Sequence, residues 1–151
     1  MSEFLDLFGR TSKAVRALAD RDMRRHGLHL GQNHVLAALW EQDGRTPGEM
    51  AAALNVTTPT IVKMATRMAA AGLLERRRDD RDNRLVRLWL TDHGRDLRDP
   101  IERDRHALAA DVTATLTATE RRHLITALAK INQAALDLLG EPLSPSESVP
   151  D

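Results

Sequence analysis

Between Thr57 and Leu90 the chain gathers the residue types that grip a polyanion. Thr57, Thr58, Thr60, Val62, Lys63 and Arg67 come first, followed within twenty residues by Arg76, Arg77, Arg78, Arg81, Arg84 and Arg87. The window holds eight basic residues against four acidic ones, a net of +4, although the chain of 151 residues as a whole carries a formal charge of zero. Charge acts locally, so its distribution outweighs its sum. Short hydroxyl side chains can bond base edges or phosphates, valine can touch a thymine methyl, and Lys/Arg reach phosphate or guanine. An arginine carried on a ribbon tip can enter a narrow, electronegative minor groove.

These groups need elements to present them. Thr46-Pro-Gly-Glu49 is a capping box with proline at the first helical position, and it starts a short helix whose Met50, Ala51 and Leu54 face inward. Asn55 suits the turn. Thr57 caps a second helix, in which Pro59 sits in the first turn where its missing donor is tolerated. Ile61, Met64, Ala65 and Met68 form the inward stripe of that helix, which leaves Thr58, Pro59, Val62, Lys63, Thr66 and Arg67 outward.

Gly72 ends the helix. Arg76–Arg78 and Leu85–Leu90 then read as two strands, the second with Val86, Leu88 and Leu90 on one face and Arg87 and Trp89 on the other. Asp79 to Arg84 form the ribbon tip, which carries Arg81 and Arg84 and where a nearby aspartate can fix the direction of an arginine through a charge-assisted bond. Two short helices followed by such a ribbon are the parts of a winged helix-turn-helix.

The flanks carry little chemistry. A helix over 2–26, with Phe4, Leu7, Phe8, Val15, Leu18 and Met23 at helical spacing, would be roughly 37 Å long, more than a small core can cover. Gly27 stops it. A further helix over 31–42 bears Val35, Leu36, Leu39 and Trp40, with Trp40 a core anchor. Thr91-Asp-His-Gly94 caps a helix toward Leu116 that Pro100 should kink. A second capping box, Thr117 to Glu120, opens a last helix striped by Leu124, Leu128, Ile131, Ala135 and Leu138. The first and last helices make a helical packing unit, most economically a dimer interface. The expected fold class is therefore mainly α with a small β-wing: a winged helix-turn-helix over 29–96, dimerisation helices over 1–28 and 97–140, and a disordered tail over 141–151.

Absences narrow the field. With no cysteine, disulfides, thiolate metal sites and cysteine nucleophiles are excluded. No phosphate-binding glycine loop, nucleophile elbow or helical His-Glu-x-x-His marks an enzyme, and no cofactor is expected. With neither a signal segment nor an apolar run long enough for a membrane span, a soluble cytoplasmic chain without membrane partners is expected.

The run from Val56 to Val62, with Met64, Met68, Gly72-Leu-Leu-Glu-Arg76, Asp82-Asn-Arg84 and Leu90-Thr-Asp-His-Gly94, resembles the MarR family of bacterial transcriptional regulators over about residues 5–139. The order of the whole set carries the likeness; no single motif does. The resemblance implies a homodimer with interlocked terminal helices that represses genes by binding pseudo-palindromic duplex DNA and is released by small aromatic or phenolic effectors. It makes 57–67 the DNA-reading helix, Arg84 the minor-groove residue and Asp82 its partner. Two positions depart from the family pattern: His29 stands where a threonine often caps the second helix, and Asn33 where an aromatic residue often borders the effector pocket. Arg16, Asn33 and His34 are the candidates for lining such a pocket. Two other readings compete. One is a zinc-responsive regulator of the same fold, drawing on His26, His29, His34, His93, His106 and His123. The other is a winged-helix protein-interaction module, for which the wing arginines would be surplus.

Overall fold

In a computed structural model the structure describes residues 2–140; the tail expected over 141–151 lies outside them. Ser2 caps α1 (Glu3–Arg24), its hydroxyl accepting from the Leu5 amide, and Gly27 turns the chain at φ +74°. There follow α2 (Leu30–Glu41), α3 (Pro47–Leu54) and α4 (Thr58–Ala70), then β1 (Leu74–Arg78) and β2 (Val86–Leu90). The chain continues through α5 (Asp92–Asp96), α6 (Arg98–Val112) and α7 (Ala118–Leu139). The described residues are mainly helical with one two-stranded antiparallel ribbon, registered Leu74↔Leu90 to Arg78↔Val86.

Local chemistry explains the starts. The Thr46 hydroxyl accepts from the Glu49 amide, and the Glu49 carboxylate accepts from the Thr46 amide, closing the capping box of α3. Thr117 and Glu120 repeat it at α7. Asn55 takes the left-handed conformation (φ 57°) that the short turn from α3 to α4 requires, a geometry asparagine tolerates better than most residues. Gln32 accepts from the His29 amide at the start of α2, so the second helix is capped without a threonine.

The core gathers under the helix pair. Val35, Leu36 and Leu39 of α2, Met50 and Ala51 of α3, and Ile61, Ala65 and Met68 of α4 pack against Leu73, Leu74, Leu88 and Leu90 of the ribbon, with Met23, Leu97 and Ile101 closing one side. Met64 and Leu54 are half-buried at its rim. Trp40 anchors α2 to α5 by donating its indole N–H to the Gly94 carbonyl at 2.9 Å.

Two expectations need correction. The helix expected from Thr91 toward Leu116 breaks at Leu97, not at Pro100, because α6 starts afresh at Arg98 and places Pro100 in its first turn, where no amide is needed. The two faces of β2 are not cleanly divided: Val86 is exposed while Arg87 and Trp89 are half-buried, since the loop before α3 packs across that side. Gly44 is the residue of contact. Its φ is +75°, and a Cβ there would lie 2.5 Å from the Trp89 ring. The stripe of α7, expected at an interface, is not covered within the chain. Among the described residues that helix buries none, and Leu138 is 89 % exposed.

Candidate nucleic-acid interface

The sequence of α4 sorts itself by side. Ile61, Ala65 and Met68 are inside, so Thr58, Pro59, Thr60, Val62, Lys63, Thr66 and Arg67 are outside on one exposed strip. Thr57 belongs to the scaffold as well: it is half-buried, its hydroxyl accepts from the Thr60 amide at 3.3 Å and lies 2.8 Å from the Thr60 hydroxyl. The Thr66 hydroxyl donates back to the Val62 carbonyl and accepts from Arg76 of β1, which ties the strip to the ribbon. Lys63, Arg67 and Arg81 make no ion pair among the described residues.

The ribbon tip is built on two aspartates. Asp79 Oδ2 accepts the amides of Arg81 (3.3 Å) and Asp82 (3.0 Å), and the Asp79 amide bonds the Leu85 carbonyl, which closes the turn. Asp82 then accepts from the Arg84 amide and from its Nε, both at 3.1 Å, with Nη2 at 3.4 Å. The Arg84 side chain, 91 % exposed, is thus aimed but not covered. The Arg84 guanidinium holds the Asp82 carboxyl below its usual range, and the Arg87 guanidinium does the same for Asp79. Both carboxylates therefore stay charged at neutral pH, and both pairs persist there.

Sequence reasoning missed Asp79 and Arg87 as parts of this site. Arg87 Nε lies 2.8 Å from Asp79 Oδ1, its Nη1 donates to the Gly44 carbonyl at 2.9 Å, and the Asp79 bond raises its already high pKa. The available signal was Asp79 itself, two and three residues ahead of the amides it accepts, the spacing of an aspartate that closes its own turn. Its bond to Arg87 across the ribbon has no such local mark.

Two cavities flank α2. One, of about 120 Å³, is lined by Met23, Leu30, Asn33, His34, Arg105 and Leu108, among others. Asn33 is 3 % exposed, and its buried Oδ1 has no hydrogen-bond partner. The structure brings Asn33 and His34 together there but leaves Arg16 exposed on α1, away from both cavities; Arg105 of α6 supplies the guanidinium instead. The other, about 280 Å³, lies between α2 and α6 beside Trp40, Arg98 and Ile101. Of the histidines, His26 Nε2 bonds Asp104 at 2.6 Å, and among the described residues no three His, Cys, Asp or Glu side chains converge.

A helix pair with an exposed polar second helix and an arginine-tipped ribbon beside it defines a winged helix-turn-helix protein. The model of the MarR family matches residues 28–86 of the chain. The chain is 32 % identical over 124 residues to the HTH-type transcriptional regulator TtmR of Methylorubrum extorquens, covering 82 % of this chain and 59 % of that protein. The chain thus spans about three fifths of that relative's length. It is 29 % identical over 113 residues to the HTH-type transcriptional repressor MdtR of Bacillus subtilis, 75 % of this chain and 73 % of that one. A mutant of MarR from E. coli, solved in complex with operator DNA, superposes with a TM-score of 0.73 at 24 % identity over 83 % of this chain and 91 % of that one. No described helix is long and apolar enough to cross a membrane.

Proposed function

We propose that this chain is a DNA-binding transcriptional regulator that acts as a homodimer and represses from a pseudo-palindromic site. The observation that carries the reading is the pairing of two exposed readers on one core: the strip of α4 and the tip arginine Arg84. Thr58, Thr60, Val62 and Lys63 from the first half of α4, and Arg67 from its last turn, would meet a major groove, with Thr57 fixing the helix start. Arg84, directed by Asp82, would enter the adjacent minor groove, and Arg81 would reach phosphate. The operator complex of the E. coli relative and the repressor name of MdtR favour this reading over a protein-interaction module.

Dimerisation follows from what the single chain leaves uncovered. Phe4, Leu5, Leu7 and Phe8 of α1 and Leu124, Ile125, Leu128 and Leu136 of α7 are exposed, an apolar area that water disfavours and a second copy would bury. The terminal helices, over 1–28 and 97–140, thus serve as the dimerisation region and 29–96 as the reading unit. A small organic effector would occupy the cavity at Asn33 and His34, where the unpartnered Asn33 oxygen offers an acceptor. Binding there would shift α2 and with it the spacing of the two readers.

Binding-site selection from random duplexes tests the proposal. The expected product is an inverted repeat with half-site centres about 10 bp apart, bound with an affinity that falls steeply as salt rises. Recovery of no preferred sequence and no salt slope would refute it. Release of the selected site by small aromatic compounds then tests the effector.

A further inference from the structure

The ribbon tip has almost no apolar support. Leu85 and Val86 are 41 % and 37 % exposed, and Arg76, Arg77 and Arg78 of β1 are all outside. A two-stranded hairpin is marginal by itself in water, so the direction in which its tip points must come from polar ties to the body. At the base those ties are backbone bonds: Gly44 to Leu88, and Leu88 to Arg45, with the Leu90 amide donating to Asp43. Further out, a side chain takes over. Arg87 donates Nε to Asp79 and Nη1 to the Gly44 carbonyl, and Nη1 also lies 3.9 Å from Glu49, the carboxylate that closes the capping box of α3.

We infer that Arg87 is the positioning residue of the wing. It fixes the pitch of the tip against α3 and the loop before it, so that Arg84 is held at one height relative to the reading helix. The connection is continuous: Gly44 carbonyl, Arg87, Asp79, the amides of Arg81 and Asp82, then the Asp82 carboxylate and the Arg84 guanidinium. The inner link is the better shielded one. The Arg87 and Asp79 side chains are 30 % and 17 % exposed, against 91 % and 36 % for Arg84 and Asp82, so the first pair resists screening more than the second. The role suits arginine because a planar fork can bond two acceptors in different directions, and a lysine ammonium cannot match that geometry. Arg87 itself is turned inward, toward Gly44 and Asp79, and works through Arg84.

This inference rests on the DNA-reading proposal, and its test separates the two. Affinity for the selected duplex, and its salt slope, would be measured for Arg87→Met, Arg84→Ala and the double variant, with thermal melts as a control. Arg87→Met is expected to weaken binding about tenfold and to lower the salt slope by about one, the loss of one cationic contact, that of Arg84 in the minor groove. In the Arg84→Ala background it should cost less than about twofold, since coupled residues are not additive. Arg87→Lys should recover only part of the loss. Costs of Arg87→Met that multiply with those of Arg84→Ala, or an unchanged affinity in Arg87→Met, would overturn the inference. Amide exchange supplies a readout without DNA: the Arg81 and Asp82 amides should exchange faster in Arg87→Met while amides of α4 do not. Unchanged exchange at Arg81 and Asp82 defeats the positioning role even if no duplex is bound, an outcome that would sink the DNA-reading proposal separately.

Discussion

The winged unit and the terminal helices use apolar residues in opposite ways. From Val35 to Leu90 most large apolar side chains at helical or strand spacing are buried in the chain's own core, so that, apart from Val62, Leu85 and Val86, the large side chains left outside are polar or basic. In α7, and in the first turns of α1, the same spacing ends in exposed leucine, isoleucine and phenylalanine. The first region is a finished structure that presents chemistry; the second is an unfinished one that presents area. An amphipathic pattern alone does not distinguish them, because it specifies a buried face without specifying what buries it.

The contrast yields predictions that differ in kind. Leu88→Ala, in the finished region, should cost about 2–5 kcal/mol of unfolding free energy by opening a cavity under the ribbon. Denaturant titration checks it, and a cost below 1 kcal/mol would mean that the ribbon core is looser than its burial implies. Leu128→Asp, in the unfinished region, should instead leave the winged unit folded. It should convert dimer to monomer in light scattering and weaken operator binding about 100-fold through lost avidity. A dimer that survives this change would place the interface elsewhere. Arg84→Ala should reduce affinity about tenfold while the melting temperature holds, as removal of a single groove contact from an exposed tip should. Thr46→Ala removes one half of the capping box and should cost about 1 kcal/mol in a melt, with affinity falling only as far as α3 frays.

The smallest effect concerns pH. Asp79 and Asp82 have folded pKa values lowered by Arg87 and Arg84, so what they contribute is fully present above the ordinary aspartate value and is lost as pH falls through the lowered one. Wing order, followed by the exchange of the Arg81 and Asp82 amides after correction for intrinsic rates, should therefore be flat from pH 8 to about 5 and decay only in stronger acid. A transition near pH 6 would point to a histidine instead.

Much of the reading unit was legible in the sequence because its signals are local. Thr46 and Glu49, Thr57 and Thr60, and Asp82 and Arg84 are each two or three residues apart, so helix or turn geometry alone brings them into contact. The inward stripe of α4 was equally plain, since a period near 3.6 separates Ile61, Ala65 and Met68 from Lys63 and Arg67. Pro100 misled: proline marks an interruption, but the same residue is favoured early in a new helix, and here the break falls three residues before it. Arg16 misled for another reason, since periodicity places it on a helix without telling which neighbour that helix faces.

By itself the sequence determined where helices begin, which sides face inward, where positive charge collects, and the family whose pattern the chain resembles. Tertiary structure decided the rest: Trp89 against Gly44, Asn33 left without a partner in a cavity, and Arg87 joined at once to Asp79 and to Gly44, 43 residues earlier in the chain. The physical reason is the same in each case. Contacts a turn apart follow from backbone geometry, whereas contacts across the chain exist only once packing of the shared core has fixed which surfaces meet.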